Sequence, residues 1–417
     1  MSPEGKFRDT RALGRDNDGG FERFSRQTNQ LGAAVAQSIQ SFIGIAACIS
    51  KLTVLIDKQL MALSFLNGLS RKKRAQMMVV DLGGRTTKAV LLERHGELLA
   101  LTRFVLLDAP ICEKKISTEL LTEHLQSVAE ALESETKLVT LAIGLDDTVV
   151  RQVELPQIPV DEMRMVLKNN TKGYLQQDMP NHVFDCHIFP PKSQGKSADA
   201  AKPGSIPKLK VLVAGMKQQL IDDFQTAIRD AGLIPDHIVP GIIGPVNAFE
   251  LALPEAFANE SVALVDIGFK HSSVCVVDRG ELVLSRMVNI GGDKLTAGLA
   301  EAMNITYAEA EGIKVGMAPE VQAILEAQVQ PLGRELRASL DFFEHQQDRP
   351  VSQIYVTGGS ARSEMILQML HTELIVDCKT WNPTAFLQLA LPGQQAVEIE
   401  QIGPQLSVAI GAALAAF

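Results

Sequence analysis

Along the chain, short apolar runs bounded by glycine or polar turns alternate with longer stretches in which apolar residues recur every three or four positions. The first kind reads as buried strands and the second as amphipathic helices. Strands are predicted at Met77–Asp81, Ala89–Arg94 and Leu98–Leu107. A helix over Thr118–Ser134 aligns Leu121, Leu125, Val128, Ala129 and Leu132 on one face, and Val139–Ile143 follows as a strand parallel to the first. A small α+β insertion comes next, at about 148–214. Its parts are strands Thr148–Leu155, Val183–Phe189 and Leu209–Ala214, a helix over Pro159–Tyr174 and a Pro-, Lys- and Ser-rich loop over Pro190–Pro207. Helices Lys217–Ala231 and Ile243–Leu253 flank a strand at Ile234–Val239. A second strand group, Val262–Val265, Ser272–Val277 and Leu282–Val288, leads into helices Lys294–Met303, Tyr307–Val315 and Glu320–Gln346. A strand from Ile354 then delivers Gly358-Gly359 to a helix over Glu364–His371, and a helix over Leu406–Phe417 closes the chain.

The two strand groups repeat one another. Met78–Val105 reads MVVDLGGRTTKAVLLERHGELLALTRFV, and Val262–Asp293 reads VALVDIGFKHSSVCVVDRGELVLSRMVNIGGD. Both carry an apolar strand, an Asp-x-Gly turn (Asp81 and Gly83; Asp266 and Gly268), a hydroxyl pair and a Gly-Glu-Leu turn. One Asp-x-Gly hairpin is an ordinary turn. Two copies indicate two similar half-domains, each with an acidic strand end. A carboxylate there can hold a magnesium ion's waters, and the glycine lets backbone N–H groups approach phosphate oxygens.

Composition narrows the class further. A chain of 417 residues has room for two or three structural units around sizeable cores. Its net charge of −9 and pI near 5.5 argue against nucleic-acid binding, which needs a basic face. The five cysteines are scattered and form no Cys-x-x-Cys pair, so neither a zinc knuckle nor a disulfide framework is expected and a reducing cytosol fits best. Residues 1–76 read as an extension: polar and Gly-rich at first, then an amphipathic helix over Gly32–Leu66, then the basic patch Arg71–Arg74. Met61 offers an alternative start, and the uncharged stretch from Gln27 to Ser50 is too interrupted by Gln and Ser for a membrane span.

From about Met77 to Phe417 the chain resembles the PilM family, actin-like proteins of type IV pilus assembly machines, and more distantly FtsA. The matching pieces are Asp81-Leu82-Gly83 with Lys88, the Leu155–Tyr174 insertion, Gly232-Leu233-Ile234-Pro235 and Asp266-Ile267-Gly268. They continue with Ile290-Gly291-Gly292-Asp293, Ala310–Lys314, Thr357-Gly358-Gly359-Ser360 and Val408–Ala413. The resemblance implies an α/β, duplicated actin-like (ribonuclease H-like) ATPase fold, with a first lobe over 77–253 carrying the insertion and a second over 254–417. It also implies an ATP and Mg2+ site. Asp81, Gly83, Gly84, Thr86, Thr87 and Lys88 would form one phosphate loop, and Asp266, Gly268 and Ser272 the other. By the same resemblance Gly291, Gly292 and Asp293 would belong to that site. Glu311 and Lys314 would reach ribose and base, Gly358, Gly359 and Ser360 would lie by the adenosine, and Asp81 and Asp266 would hold Mg2+ through water.

Two departures stand out: Gly84-Arg85 in the first loop and the bulky Phe269-Lys270-His271 in the second. The family's function would make this a cytosolic scaffold, at most a weak ATPase. It would hold the cytosolic N-terminal tail of a PilN-like inner-membrane protein, with membrane association indirect and other pilus components or a second copy as further partners. A sugar-kinase-class phosphotransferase and an FtsA-like division protein are the alternatives.

Overall fold

A computed structural model describes residues 75–110, 115–189, 207–316 and 321–415. The expectations for residues 1–74, for the basic patch and for the 190–206 loop lie outside them. The elements run β1 (Gln76–Asp81), β2 (Thr86–His95), β3 (Leu98–Asp108), α1 (Thr118–Ala131), β4 (Leu138–Ile143), β5 (Thr148–Pro156), α2 (Val160–Asn169), α3 (Thr171–Leu175), β6 (His182–Ile188), β7 (Lys208–Lys217). Next come α4 (Gln218–Asp230), β8 (Ile234–Pro240), α5 (Gly244–Ala252), α6 (Pro254–Asn259), β9 (Ser261–Ile267), β10 (Ser272–Asp278), β11 (Glu281–Val288) and α7 (Gly292–Met303). The chain continues through α8 (Tyr307–Gly316), α9 (Gln322–Gln347), β12 (Gln353–Thr357), α10 (Glu364–Leu374), β13 (Cys378–Thr380), β14 (Gln388–Leu389), α11 (Gly393–Ile402) and α12 (Ser407–Leu414).

Among the described residues three sheets form. The first has the order β14-β3-β2-β1-β4-β8, the second β11-β10-β9-β12-β13, and the third, from the insertion, β5-β7-β6. In the first two, an antiparallel three-strand meander is extended by a parallel neighbour of its first strand: β4 beside β1, and β12 beside β9.

The two-residue period of a strand decides which core each residue enters. On β1, Met77 and Val79 face one way and Met78 and Val80 the other. The second pair packs under α1 and α4 with Leu121, Leu125, Phe224 and Ile228. The first pair enters a core shared with Val262 and Leu264 of β9, Phe249 of α5 and Ile410 of α12. On β9 the opposite set, Ala263, Val265 and Ile267, packs on Leu325, Leu332 and Leu336 of α9. One apolar core therefore runs between the two large sheets. Trp381 belongs to it, edge-on to Phe249 at 5.3 Å between ring centroids.

Two details differ from the sequence reading. The helix expected over Pro159–Tyr174 is two helices, because Asn170 leaves helical geometry and its side chain accepts from Gly173 N at 3.0 Å, capping α3. Residues 254–417 do not stay together as one lobe. After Trp381 the chain returns, with β14 pairing parallel to β3 and α12 lying against α5, β1 and β4. That return was not legible because β14 spans two residues and α12 is apolar all round. Where α12 crosses α5, a side chain on Gly411 would run into the Gly244 carbonyl, so the two helices meet backbone to backbone.

Candidate functional site

The two Asp-x-Gly turns lie at corresponding corners of the two large sheets. In the first, strand register sets Asp81 opposite Lys88, and Lys88 Nζ donates to Asp81 Oδ2 at 3.1 Å. Burial works against the Lys88 charge, but the carboxylates of Asp81 and Asp266 outweigh it and raise the ammonium above its usual range. The lysine thus senses a carboxylate from each sheet. Asp266, half-buried, is pushed up to about 6 by burial, with the Asp81 charge adding to the rise and Lys88 opposing it. Gly358 sits directly against Asp266: its φ is +93°, and a Cβ there would strike the carboxylate and the Ile267 carbonyl. Only glycine meets both conditions.

The second turn is fixed from below. Gly292 N donates to Gly268 O at 2.8 Å and Asp293 N to Phe269 O at 2.9 Å, so carbonyls of the turn satisfy the first amides of α7. Gly291 lies so close to Phe269 and Lys270 that a side chain would not fit. Ser272, fully buried, donates to Ile290 O at 2.6 Å and ties the same two segments.

Glu311 and Lys314 come from α8, whose start is a capping box. Thr306 N donates to Glu309 Oε2 at 2.9 Å and Glu309 N to Thr306 Oγ1 at 3.3 Å. One turn apart, Glu311 and Lys314 pair at 2.8 Å. Thr296 of α7 completes the cluster, donating to Glu311 Oε2 at 2.6 Å and accepting from Lys314 Nζ at 2.8 Å. Burial lowers Lys314 despite this pairing, whereas Glu311 is held below the usual carboxylate range because hydrogen bonds from Lys314 and Thr296 outweigh its own desolvation. Ser360 lies against Gly292 in the same cluster, and Gly359 beside it faces open space.

Most of the sequence-selected residues therefore converge on one cleft. Thr87 turns away: it is buried and bonds His124 Nε2 at 2.7 Å, fixing β2 to α1. Ser272 likewise spends its hydroxyl internally. Two participants, Thr296 and Tyr307, were not selected from sequence, and Arg85 stood out there only as a departure in the first loop. Thr296 left a faint signal, a hydroxyl among Leu295 and Leu299 on the buried face of α7. Tyr307 donates to Asp293 Oδ1 at 2.9 Å. Arg85 reaches from the first loop over the rings of Phe269 and Tyr307 and comes within 3.9 Å of Glu311. Near the other side, His271 Nε2 lies 2.8 Å from Asp146 Oδ2, in the turn after β4. The two loops touch, since a Cβ on Gly84 would sit 3.5 Å from both the Phe269 and Lys270 side chains.

Twin meanders with parallel extensions, joined through a common core and opposing two acidic turns, define an actin-like ATPase fold. The family model for the type IV pilus assembly protein PilM matches residues 79–417, and the chain belongs to that family. Among solved structures it is similar to a chain of a PilM-PilN type IV pilus biogenesis complex, with a TM-score of 0.69 and 21% identity over 82% of this chain and 98% of that one. Weaker likenesses are to the ethanolamine utilization protein EutJ from Carboxydothermus hydrogenoformans (TM-score 0.48, 14% identity, 88% and 98% covered). A third is MreB5 of Spiroplasma citri bound to ADP (TM-score 0.45, 10% identity, 81% and 95% covered).

Proposed function

We propose that this chain is an ATP-binding scaffold of a type IV pilus assembly machine, positioned at the cytosolic face of the inner membrane by holding the cytosolic N-terminal tail of a PilN-like membrane protein. The observation that carries the nucleotide half is Lys88, hydrogen-bonded to Asp81 of one hairpin at 3.1 Å and raised also by the charge of Asp266 on the other. A buried pair of like charges with one shared cation is incompletely neutralised, and a magnesium ion carried by a phosphate tail supplies the missing positive charge. The residues fit that ligand. Glycines stand where the backbone must come close, and a buried Thr296–Glu311–Lys314 cluster offers donors and an acceptor suited to ribose hydroxyls and a base edge. Among the described residues no group of three or more metal-ligating side chains forms. That suits Mg2+, which keeps waters and takes one or two carboxylates plus phosphate, better than a metal needing a protein cage.

The partner half rests on family membership and on the inserted subdomain. No helix among the described residues is long and apolar enough to cross a membrane, so attachment through a partner is the economical reading. Of the apolar side chains on α2, Met163 and Leu167 pack inside the subdomain with Phe184 and Val213, while Met165 is 63% exposed. A flexible thioether on the outer face of α2 suits an adaptable contact with a short peptide.

Two titrations test the two halves separately. ATP with Mg2+ at 100 times its Kd should stabilise the protein by about 2.7 kcal/mol, visible in a melting curve. A synthetic N-terminal tail of the PilN-like protein should bind with or without nucleotide, and more weakly to Met165→Asp. Absence of any ATP shift at millimolar concentration rules out the nucleotide half, and tail binding unaffected by M165D moves the partner site elsewhere.

A further inference from the structure

Arg85 has a stacked face and an almost unused edge. Its guanidinium carbon lies 5.7 Å from the Phe269 ring centroid and 5.5 Å from that of Tyr307, both within cation–π range. Of its five N–H donors, one makes a long contact, 3.5 Å, to Tyr307 OH. The Glu311 carboxylate at 3.9 Å is beyond hydrogen-bond length and is already satisfied by Lys314 and Thr296. The side chain is 45% exposed, so desolvation does not argue against the charge.

An arginine held by its faces presents its planar donor fork outward with little left to lose in rotamer freedom, which is the arrangement for gripping a phosphate through two parallel bonds. The position is right as well. Arg85 belongs to the turn between Asp81 and Lys88, and it reaches to Glu311, so it lies between the carboxylate end of the cleft and the Thr296–Glu311–Lys314 cluster. The tyrosine is itself anchored on Asp293, and Phe269 is anchored through its carbonyl, which accepts from Asp293 N.

We propose that Arg85, oriented on Phe269 and Tyr307, is a phosphate-binding residue of this cleft that selects nucleotides by the length of their phosphate tail. The bulk at Phe269, which looks like an obstruction in sequence, then serves as the platform for the arginine. This inference rests on the nucleotide reading above.

The test is calorimetric titration of the full chain with ATP, ADP and AMP, each with Mg2+, for the wild type and for Arg85→Ala, Arg85→Lys and Phe269→Ser. Loss of two charge-assisted bonds predicts about 10–100-fold weaker ATP binding for R85A, with AMP changed less than about threefold. R85K should recover only part of the loss, because an ammonium neither stacks nor binds bidentately. F269S, which keeps the charge but removes one platform, should lie between wild type and R85A. Apo melting temperatures of all four proteins should agree within a few degrees, showing that the variants fold. R85A binding ATP as tightly as wild type, or losing ATP and AMP equally, overturns the phosphate role and leaves Arg85 as a contact between the two loops. Wild type binding none of the three nucleotides instead removes the nucleotide reading, and this proposal with it.

Discussion

The two Asp-x-Gly hairpins share a backbone plan and differ in electrostatics. In β1–β2 the partner of Asp81 across the ladder is Lys88, and the pair is close enough to hydrogen-bond. In β9–β10 the residue opposite Asp266 is Ser273, buried and uncharged. Asp266 feels the charge of the same lysine without a hydrogen bond to it, and Gly358 packs against its carboxylate. One cation therefore acts on two carboxylates, and burial, with the Asp81 charge adding to it, keeps Asp266 raised despite Lys88. Duplication kept what the strand geometry needs and let the charge balance diverge.

Removing the shared cation should have the largest effect. Lys88→Ala leaves two substantially buried carboxylates facing each other, and loss of one partner of such a pair costs about 3 kcal/mol or more. Urea unfolding at pH 7.5 should show that loss, and ATP stabilisation should vanish with it. A variant as stable as wild type would mean that water already neutralises the site.

Removing the second carboxylate should act in the opposite direction. A folded-state pKa of about 6 against the ordinary aspartate value of 3.8 means the native protein binds a proton more tightly than the unfolded chain does. The stability contributed by that proton is complete below about pH 4 and is lost as pH rises through about 6. At pH 7.5 Asp266→Asn should therefore stabilise the apo protein by about 2 kcal/mol, while abolishing the ATP·Mg2+ shift. Wild type should regain about 1 kcal/mol relative to D266N between pH 7.5 and 5. Parallel pH curves for the two proteins would show that Asp266 is not strained by burial. The corresponding change in the first hairpin, Asp81→Asn, should destabilise, because it removes the partner of Lys88.

Two smaller effects sharpen the comparison between the hydroxyl pairs. Ser272→Ala leaves the Ile290 carbonyl without its donor in a fully buried setting and should cost about 1–2 kcal/mol. Thr87→Val keeps the β-branched shape but removes the bond to His124, which is half-buried and can reach water, so a loss of about 0.5–1 kcal/mol is expected. Burial lowers the His124 imidazole below its usual range, so it should be the neutral partner at pH 7.5. Equal losses for the two variants would mean that both hydroxyls face comparable environments, against the structure.

Sequence alone determined much of this protein. Strand periods of two and helix periods near 3.6 are local properties of the chain, so Met77–Asp81, Val262–Val265 and the Leu325–Leu340 face of the long helix could be read without a partner in view. The repeated Asp-x-Gly turn could be read for the same reason: it is a contiguous pattern whose glycine is required by the turn itself. What no stretch of sequence encodes is which loop a side chain will meet. Thr296 reaches Glu311 from another helix, Arg85 meets Phe269 and Tyr307 from 184 and 222 residues away in sequence, and a two-residue strand and an all-apolar helix carry the chain's last segment back to the first sheet. These are decided by how the two sheets close on their common core. Packing across that core sets distances and charge partners that neither half contains alone, which is why the residues of the turns were legible and the sharing of Lys88 between them was not.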